Sequence, residues 1–260
     1  MNIPRMYRSF SLIINWKTYL LTGMSVLCTY LCFTFGLTAK FPDMLVGVAI
    51  VFPVVFSISS AYNRRETALQ RWADFRGHAI AIFYAVRDWP TDKNKELPKR
   101  VRDLTSDMVH RTKELLTSDR SSWAKREEEF YELFSKLSEI TMELRAHGVQ
   151  SGEISRVSQY LSKMVIAFDN LKIIYQYRTP ITLRTYSKVF IYVFPVIYGP
   201  YFASTFHDFS ASLEYVMPIL YSFILVSLDN IQDHLEDPFD QVGEDDINID
   251  ANEISNVLKY

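Results

Sequence analysis

The densest group of side chains able to do chemistry is "LEDPFDQVGEDDINID", where carboxylates crowd residues 235–250. Hard oxygen donors at this density suit Ca²⁺. An EF-hand loop opening at Asp246 would place Asn248 and Asp250 correctly, but Ala251 stands at the turn glycine and Val257 at the closing glutamate. That motif is excluded, and a solvated acidic tail is the other reading of the same residues. No Gly-rich phosphate loop, HExxH, paired-Cys metal spacing or nucleophile elbow occurs. His78, His110, His147, His207 and His234 are scattered without local ligand partners. Cys28 and Cys32 sit four apart in one apolar run, which suggests neither a disulfide framework nor a zinc site.

A second pattern is apolar. In "GVAIVFPVVFSIS", Val48, Phe52 and Phe56 recur every four residues, and four residues of helix turn about 400°, so they form one slowly drifting stripe. Pro53 leaves the Ala49 carbonyl without its helical donor, a loss that lipid cannot make good but a neighbouring helix or pore water can. Ser57, Ser59 and Ser60 suit a wet or protein-packed lower end of the same helix.

The elements that carry these residues follow from where the apolar residues fall. With 260 residues, 48% hydrophobic and 22% charged, and a net charge of −2, the average resembles a globular enzyme. The apolar residues, however, concentrate in two blocks, roughly 19–62 and 189–231. Each block splits in two, giving "YLLTGMSVLCTYLCFTFGL", "MLVGVAIVFPVVFSISSAY", "KVFIYVFPVIYGPYFAST" and "LEYVMPILYSFILVSLDNI". Each approaches the ~20 residues that cross a ~30 Å hydrocarbon core, so four transmembrane helices are expected. The first is too long, and followed by too many others, for a cleaved signal peptide. Arg5, Arg8, Lys17, Arg64, Arg65, Arg71, Arg76, Arg178, Arg184 and Lys188 flank one side of the spans, and only Lys40 lies in the hairpin loops. The positive-inside rule then puts both termini and the middle of this cell-membrane, multi-pass chain in the cytoplasm.

The second span is expected to continue past the membrane as an amphipathic helix to about Val86, where "DWPTDKNKELP" breaks it. Further helices are expected at about 97–117, 120–147 and 152–177, with Gly148 as a C-cap. The run "KREEEF" reads as a solvated helix face. No strand alternation is sustained, so the fold class is all-α. The expected organisation is 1–62 (N-terminal segment and two spans), 63–186 (cytoplasmic helices), 187–231 (two spans) and 232–260 (acidic cytoplasmic tail).

Four residue groups, in order along the chain, resemble the bestrophin family of pentameric ion channels, including its bacterial members. They are "SLIINWKTYLL" before the first span, "LVGVAIVFPVVFSISSAYNR" with Ala61, Tyr62 and Arg64, "RTPITLRTY" before the third span, and "SLDNIQDHLEDPF" after the last. The sequence departs from the family pattern at Ser57, where bacterial members commonly carry a basic residue, at Arg65-Glu66, which replaces a frequent double tryptophan, and in the longer "DQVGEDD". The resemblance implies a homopentamer around one axial pore. It puts Val48, Phe52 and Phe56 at a hydrophobic neck and Ile181 at a cytoplasmic aperture. It also bears on the tail: a calcium clasp there would use Asp245 and Asp246, with Asn248, and with the carbonyl of Asp237. Passive conduction of chloride is the family-level expectation, with cation conduction or a non-conducting membrane scaffold as alternatives. An enzyme acting at the bilayer would need convergent acid, base or metal groups, and only the tail offers any. No cofactor is required beyond a conditional Ca²⁺; the expected partners are four further copies, lipid and permeant ions, with no nucleic acid.

Overall fold

The structure, a computed structural model, describes residues 12–92, 95–118, 123–205, 213–241 and 245–258. Arg5, Arg8 and the loop "FHDFSAS" lie outside the described residues. Every regular element described is helical: α1 (Trp16–Thr34), α2 (Asp43–Asp88), α3 (Glu96–Thr117), α4 (Trp123–Glu143), α5 (Ser151–Gln176), α6 (Ile181–Thr205), α7 (Leu213–Glu236) and α8 (Ala251–Val257). The chain divides into two compact units, one of Met1–Arg65, Arg178–Asp237 and Gly243–Asp245, the other of Glu66–Tyr177, Pro238–Val242 and Asp246–Tyr260. α2 is one helix of 46 residues that runs unbroken through Pro53 and contributes to both.

In the first unit α1, α6 and α7 pack on one another. Asn15 starts α1: its side chain accepts from the amides of Lys17 (3.0 Å) and Thr18 (3.4 Å), and Thr18 returns a bond to the Asn15 amide (3.3 Å). This reciprocal cap satisfies donors that a helix start leaves open. The end is set by Gly36 at φ +68°, which lets the Leu37 amide reach back to the Cys32 carbonyl at 2.8 Å. The apolar interior is Leu21, Ile50, Val54, Ile191, Phe194, Tyr198, Phe202, Leu225 and Val226.

The first unit is inside-out relative to a water-soluble bundle. All but Thr105, Thr112 and Thr141 of the buried polar and charged side chains belong to it, among them Thr18, Ser25 and Thr29 along one face of α1 and Asp229, Asn230, Gln232 and Glu236 on α7. Most of the exposed large hydrophobics belong to it too, including Trp16, Tyr19, Leu27 and Tyr30 on α1, Val189 and Val196 on α6, and Ile219, Leu220 and Ile224 on α7. In water that surface would be costly, whereas hydrocarbon reverses the preference. By length and mean hydropathy one described helix, Tyr215–Glu236, qualifies to cross a membrane, with hydropathy 1.2. Tyrosines, threonines and prolines dilute the other expected spans.

The second unit has an ordinary core. Phe168 on α5 stacks on Phe130 at 3.9 Å and meets Tyr131 and Phe134 edge-on, with Phe75, Phe83, Met108 and Leu137 around them. Part of the charge run is committed to packing. Lys172 donates to Glu127 (2.8 Å) and Tyr131 (3.1 Å) and pairs with Asp169 (2.9 Å), while Arg111 reaches Glu129 at 3.2 Å. Burial pulls the Lys172 ammonium down, but these hydrogen bonds prevail and hold it above its ordinary range.

The tail differs from a solvated segment. Phe239, Ile247, Ile249, Ile254 and Leu258 are buried in the second unit's core, and α8 packs on α3. The Ile247 amide donates to the Pro238 carbonyl (2.9 Å), Asp250 caps α8 through the Asn252 amide (2.8 Å), and Arg76 pairs with Glu253 (2.8 Å).

Gly148, expected as a C-cap, has φ +79°, and a Cβ there would collide with Thr91 Oγ1. Thr91 is held by its own bond to the His147 carbonyl at 3.1 Å. Gly148→Ala is expected to destabilise the protein by about 1–3 kcal/mol, because left-handed backbone and a close contact add. A thermal melt measures this, and a Tm equal to the parent's would contradict the strain.

Candidate functional site

The four-residue spacing on α2 brings Val48, Phe52 and Phe56 to the surface of the first unit, at 45%, 55% and 58% exposure. Phe52 and Phe56 are in ring contact, centroids 5.7 Å apart. The opposite face carries Ile50, Val54, Ser57 and Ala61, all buried, at the spacing of a helix seam. So α2 anchors with one side and has a broad apolar side, Val51 and Val55 included, that the other described residues leave about half exposed. Ser57 is fully buried, so the lower end of the stripe is protein-packed on that side. Val48 and Phe52 also line a cleft of about 340 Å³ shared with Tyr198, Phe202 and Tyr221.

Ile181 is the first residue of α6, 70% exposed, directly after Pro180. Pro180 keeps Thr179 out of helical geometry, and its carbonyl accepts from the amides of Leu183 (3.1 Å) and Arg184 (3.3 Å).

Below the apolar helices a belt of charges fastens the C-terminal end of α7. Arg184 donates to Glu236 Oε2 at 2.9 Å, Arg64 donates to the Glu236 carbonyl at 3.0 Å, and Arg178 pairs with Asp237 at 2.9 Å. Lys188 contacts both oxygens of Asp233 at 2.9 and 3.0 Å, and Lys17 approaches the same carboxylate at 3.7 Å. Burial pushes the Arg64 guanidinium below its ordinary range, opposed by Glu236 and Asp237. Arg64 thus meets a backbone carbonyl at the C-terminus of α7 while the other cations pair with carboxylates near that end, which is the favourable polarity. An amide network closes the belt: Asn15 donates to Asn230 Oδ1 (2.9 Å), and Asn230 Nδ2 donates to the Ile13 carbonyl (2.7 Å).

The sequence reading did not single out Asp229, Asn230 or Glu236 individually, although all stand in "SLDNIQDHLEDPF". The available signal was polarity inside an otherwise apolar helix, where such residues turn inward. The tail residues are divided: Asp237 and Asp245 belong to the first unit, Asp246 and Asn248 to the second. The Asp237 carboxylate is engaged by Arg178, and the Asp245 carbonyl accepts from Arg65 at 2.8 Å. Among the described residues, no three His, Cys, Asp or Glu side chains gather as a metal site.

No protein-family model and no curated protein sequence matches the chain. Solved structures do. A point variant of a bacterial bestrophin homologue from Klebsiella pneumoniae superposes with a TM-score of 0.78 at 15% identity, covering 93% of this chain and 94% of that one. A structure of the Klebsiella pneumoniae homologue phased on zinc gives 0.73 at 16% identity, covering 97% and 95%. A further variant, described as a membrane protein, gives 0.77 at 16% identity, covering 93% and 96%. The order of motifs along the sequence and the path of the helices lead to the same relatives: this chain has the fold of the bacterial bestrophin homologues.

Proposed function

We propose that the chain is one subunit of a homopentameric membrane channel that passes chloride and other small anions passively through a central pore. The observation that carries this reading is the half-exposed apolar face of α2, in a chain with the bestrophin fold. Five copies of Val48, Phe52 and Phe56 would ring a neck that resists wetting, and five copies of Ile181 would form a second aperture toward the cytoplasm. Both termini, and the helices α3 to α5, lie on the cytoplasmic side in this reading, by the flanking cations. Cation conduction is the alternative for the same geometry, because an apolar ring says little about charge sign.

Purified protein in planar bilayers under asymmetric potassium chloride tests this. The reversal potential is expected near the chloride equilibrium value; a value near that of potassium would replace the anion by the cation. Native mass spectrometry is expected to give a pentamer. Monomers alone, with no current, would leave a non-conducting scaffold.

Ile181→Ala is expected to raise the permeability of large anions relative to chloride several-fold while the pentamer persists, since a β-branched side chain at the exposed helix start supplies width and no core packing. Unchanged permeability ratios would take Ile181 out of the pore.

A further inference from the structure

Trp16 and Tyr19 stand in the first turn of α1 at 69% and 71% exposure, three residues apart and so neighbours on one face of the helix. Among the described residues the Trp16 indole N–H and the Tyr19 hydroxyl have no hydrogen-bond partner, and the hydroxyl of half-exposed Tyr186 on α6 has none either. Lys17 lies between the first two in sequence. Its ammonium stays 3.7 Å from Asp233, too far for a hydrogen bond, while Lys188 donates to both oxygens of that carboxylate at 2.9 and 3.0 Å. The Lys17 side chain, 32% exposed, therefore keeps its three N–H donors for another acceptor.

Asp233 also fixes the depth of these groups. Lys17 and Lys188 reach it from α1 and α6, and Trp16, Tyr19 and Tyr186 each stand within two residues of one of these lysines, about 3 Å along a helix axis. Further along the same helices the exposed residues include Leu27, Val189 and Val196, and on the other side come Arg184 and Arg178. Apolar surface, then aromatic rings with polar tips, then cations is the order set by acyl chains, ester and phosphate groups, and water. The ligand that satisfies such donors at such a level is rich in acceptors, negatively charged and apolar at one end.

We propose that this end of α1 binds the headgroup of an anionic phospholipid, with Lys17 and Trp16 donating to its phosphate and with Tyr19 and Tyr186 at the level of its ester carbonyls. The lipid belongs to the leaflet that holds these helix ends, the cytoplasmic one in the reading above. The site rests on the membrane placement in that reading and not on conduction. Retained lipid in a protein that passes no current leaves the site standing, and a conducting protein without lipid preference loses the site alone.

Native mass spectrometry and thermal melts of the full-length protein in detergent, with phosphatidylglycerol, phosphatidylcholine or inorganic phosphate added, test the proposal. The wild type is expected to retain phosphatidylglycerol about fivefold over phosphatidylcholine, the attraction of one lysine at an anionic surface. Its Tm should rise with phosphatidylglycerol and stay unchanged in inorganic phosphate. Lys17→Gln should abolish the preference, and Lys17→Arg should keep it. Equal retention of the two lipids by the wild type overturns the proposal, as does a Lys17→Gln variant that still prefers phosphatidylglycerol. Stabilisation by inorganic phosphate alone makes this a site for a soluble anion and overturns the lipid. Where Lys17→Gln does not fold, Trp16→Phe, which removes the indole N–H from an exposed ring, should lower phosphatidylglycerol retention, and unchanged retention overturns the site.

Discussion

Channels in which Val48, Phe52 and Phe56 are all replaced by alanine are expected to pass at least about tenfold more ions per unit time, as larger current or longer open time, corresponding to about 1.4 kcal/mol off the barrier. The argument is one of wetting. A narrow ring of valine and phenylalanine side chains offers water no hydrogen bonds, so a hydrated ion meets a dry constriction, and truncation both widens and softens it. The oligomer should survive, because α2 is held by Ile50, Val54 and Ala61 on its other face, and these are untouched. Single-channel recording, paired with native mass spectrometry of the same preparation, separates the two effects. Variants that assemble normally and conduct like the parent would show that the stripe faces lipid or another helix.

The largest loss of stability is expected at the α7 terminus. Arg184→Ala leaves Glu236, 3% exposed, as a buried carboxylate that has lost the Arg184 donor to its Oε2. Removing one partner of a buried pair costs about 3–5 kcal/mol, and the lower end applies because Arg184 is itself 27% exposed. The double replacement Arg184→Ala with Glu236→Gln should recover most of the loss, since the uncompensated charge goes with it. A thermal melt in which the single variant matches the wild type, or the double is worse than the single, would remove the pair from the stability of this region.

Much of the helical layout is legible in the sequence because helical periodicity is a local property. The break at "DWPTDKNKELP", the left-handed turn at Gly148 and the passage of α2 through Pro53 each depend on a few adjacent residues, although α4 ends at Glu143, short of the helix to 147 that Gly148 is expected to cap. Burial is different. Ile247, Ile249 and Ile254 are embedded among enough carboxylates to read as part of an acidic tail, and only the presence of α3 reveals that they complete a core. The same holds at the site. The spacing of Val48, Phe52 and Phe56 announces a stripe, but whether a stripe is covered depends on residues more than a hundred positions away, such as Ile191 and Leu225. Asn15 and Asn230, 215 positions apart, could be paired only by the fold.

The docked tail sets a timetable for biogenesis. Helices α3 to α5 leave the ribosome well before Phe239, Ile247, Ile254 and Leu258, which fill the gap in their core. Between Gln176 and Leu258 the ribosome must also deliver α6 and α7, the most apolar stretch of this part of the chain. At translation speeds of about 5–20 residues per second, the nascent second unit waits on the order of 4–16 s with its core unsealed. During that interval it is a client for holdase chaperones and a target for proteases, and slow codons between α6 and α8 would lengthen the exposure.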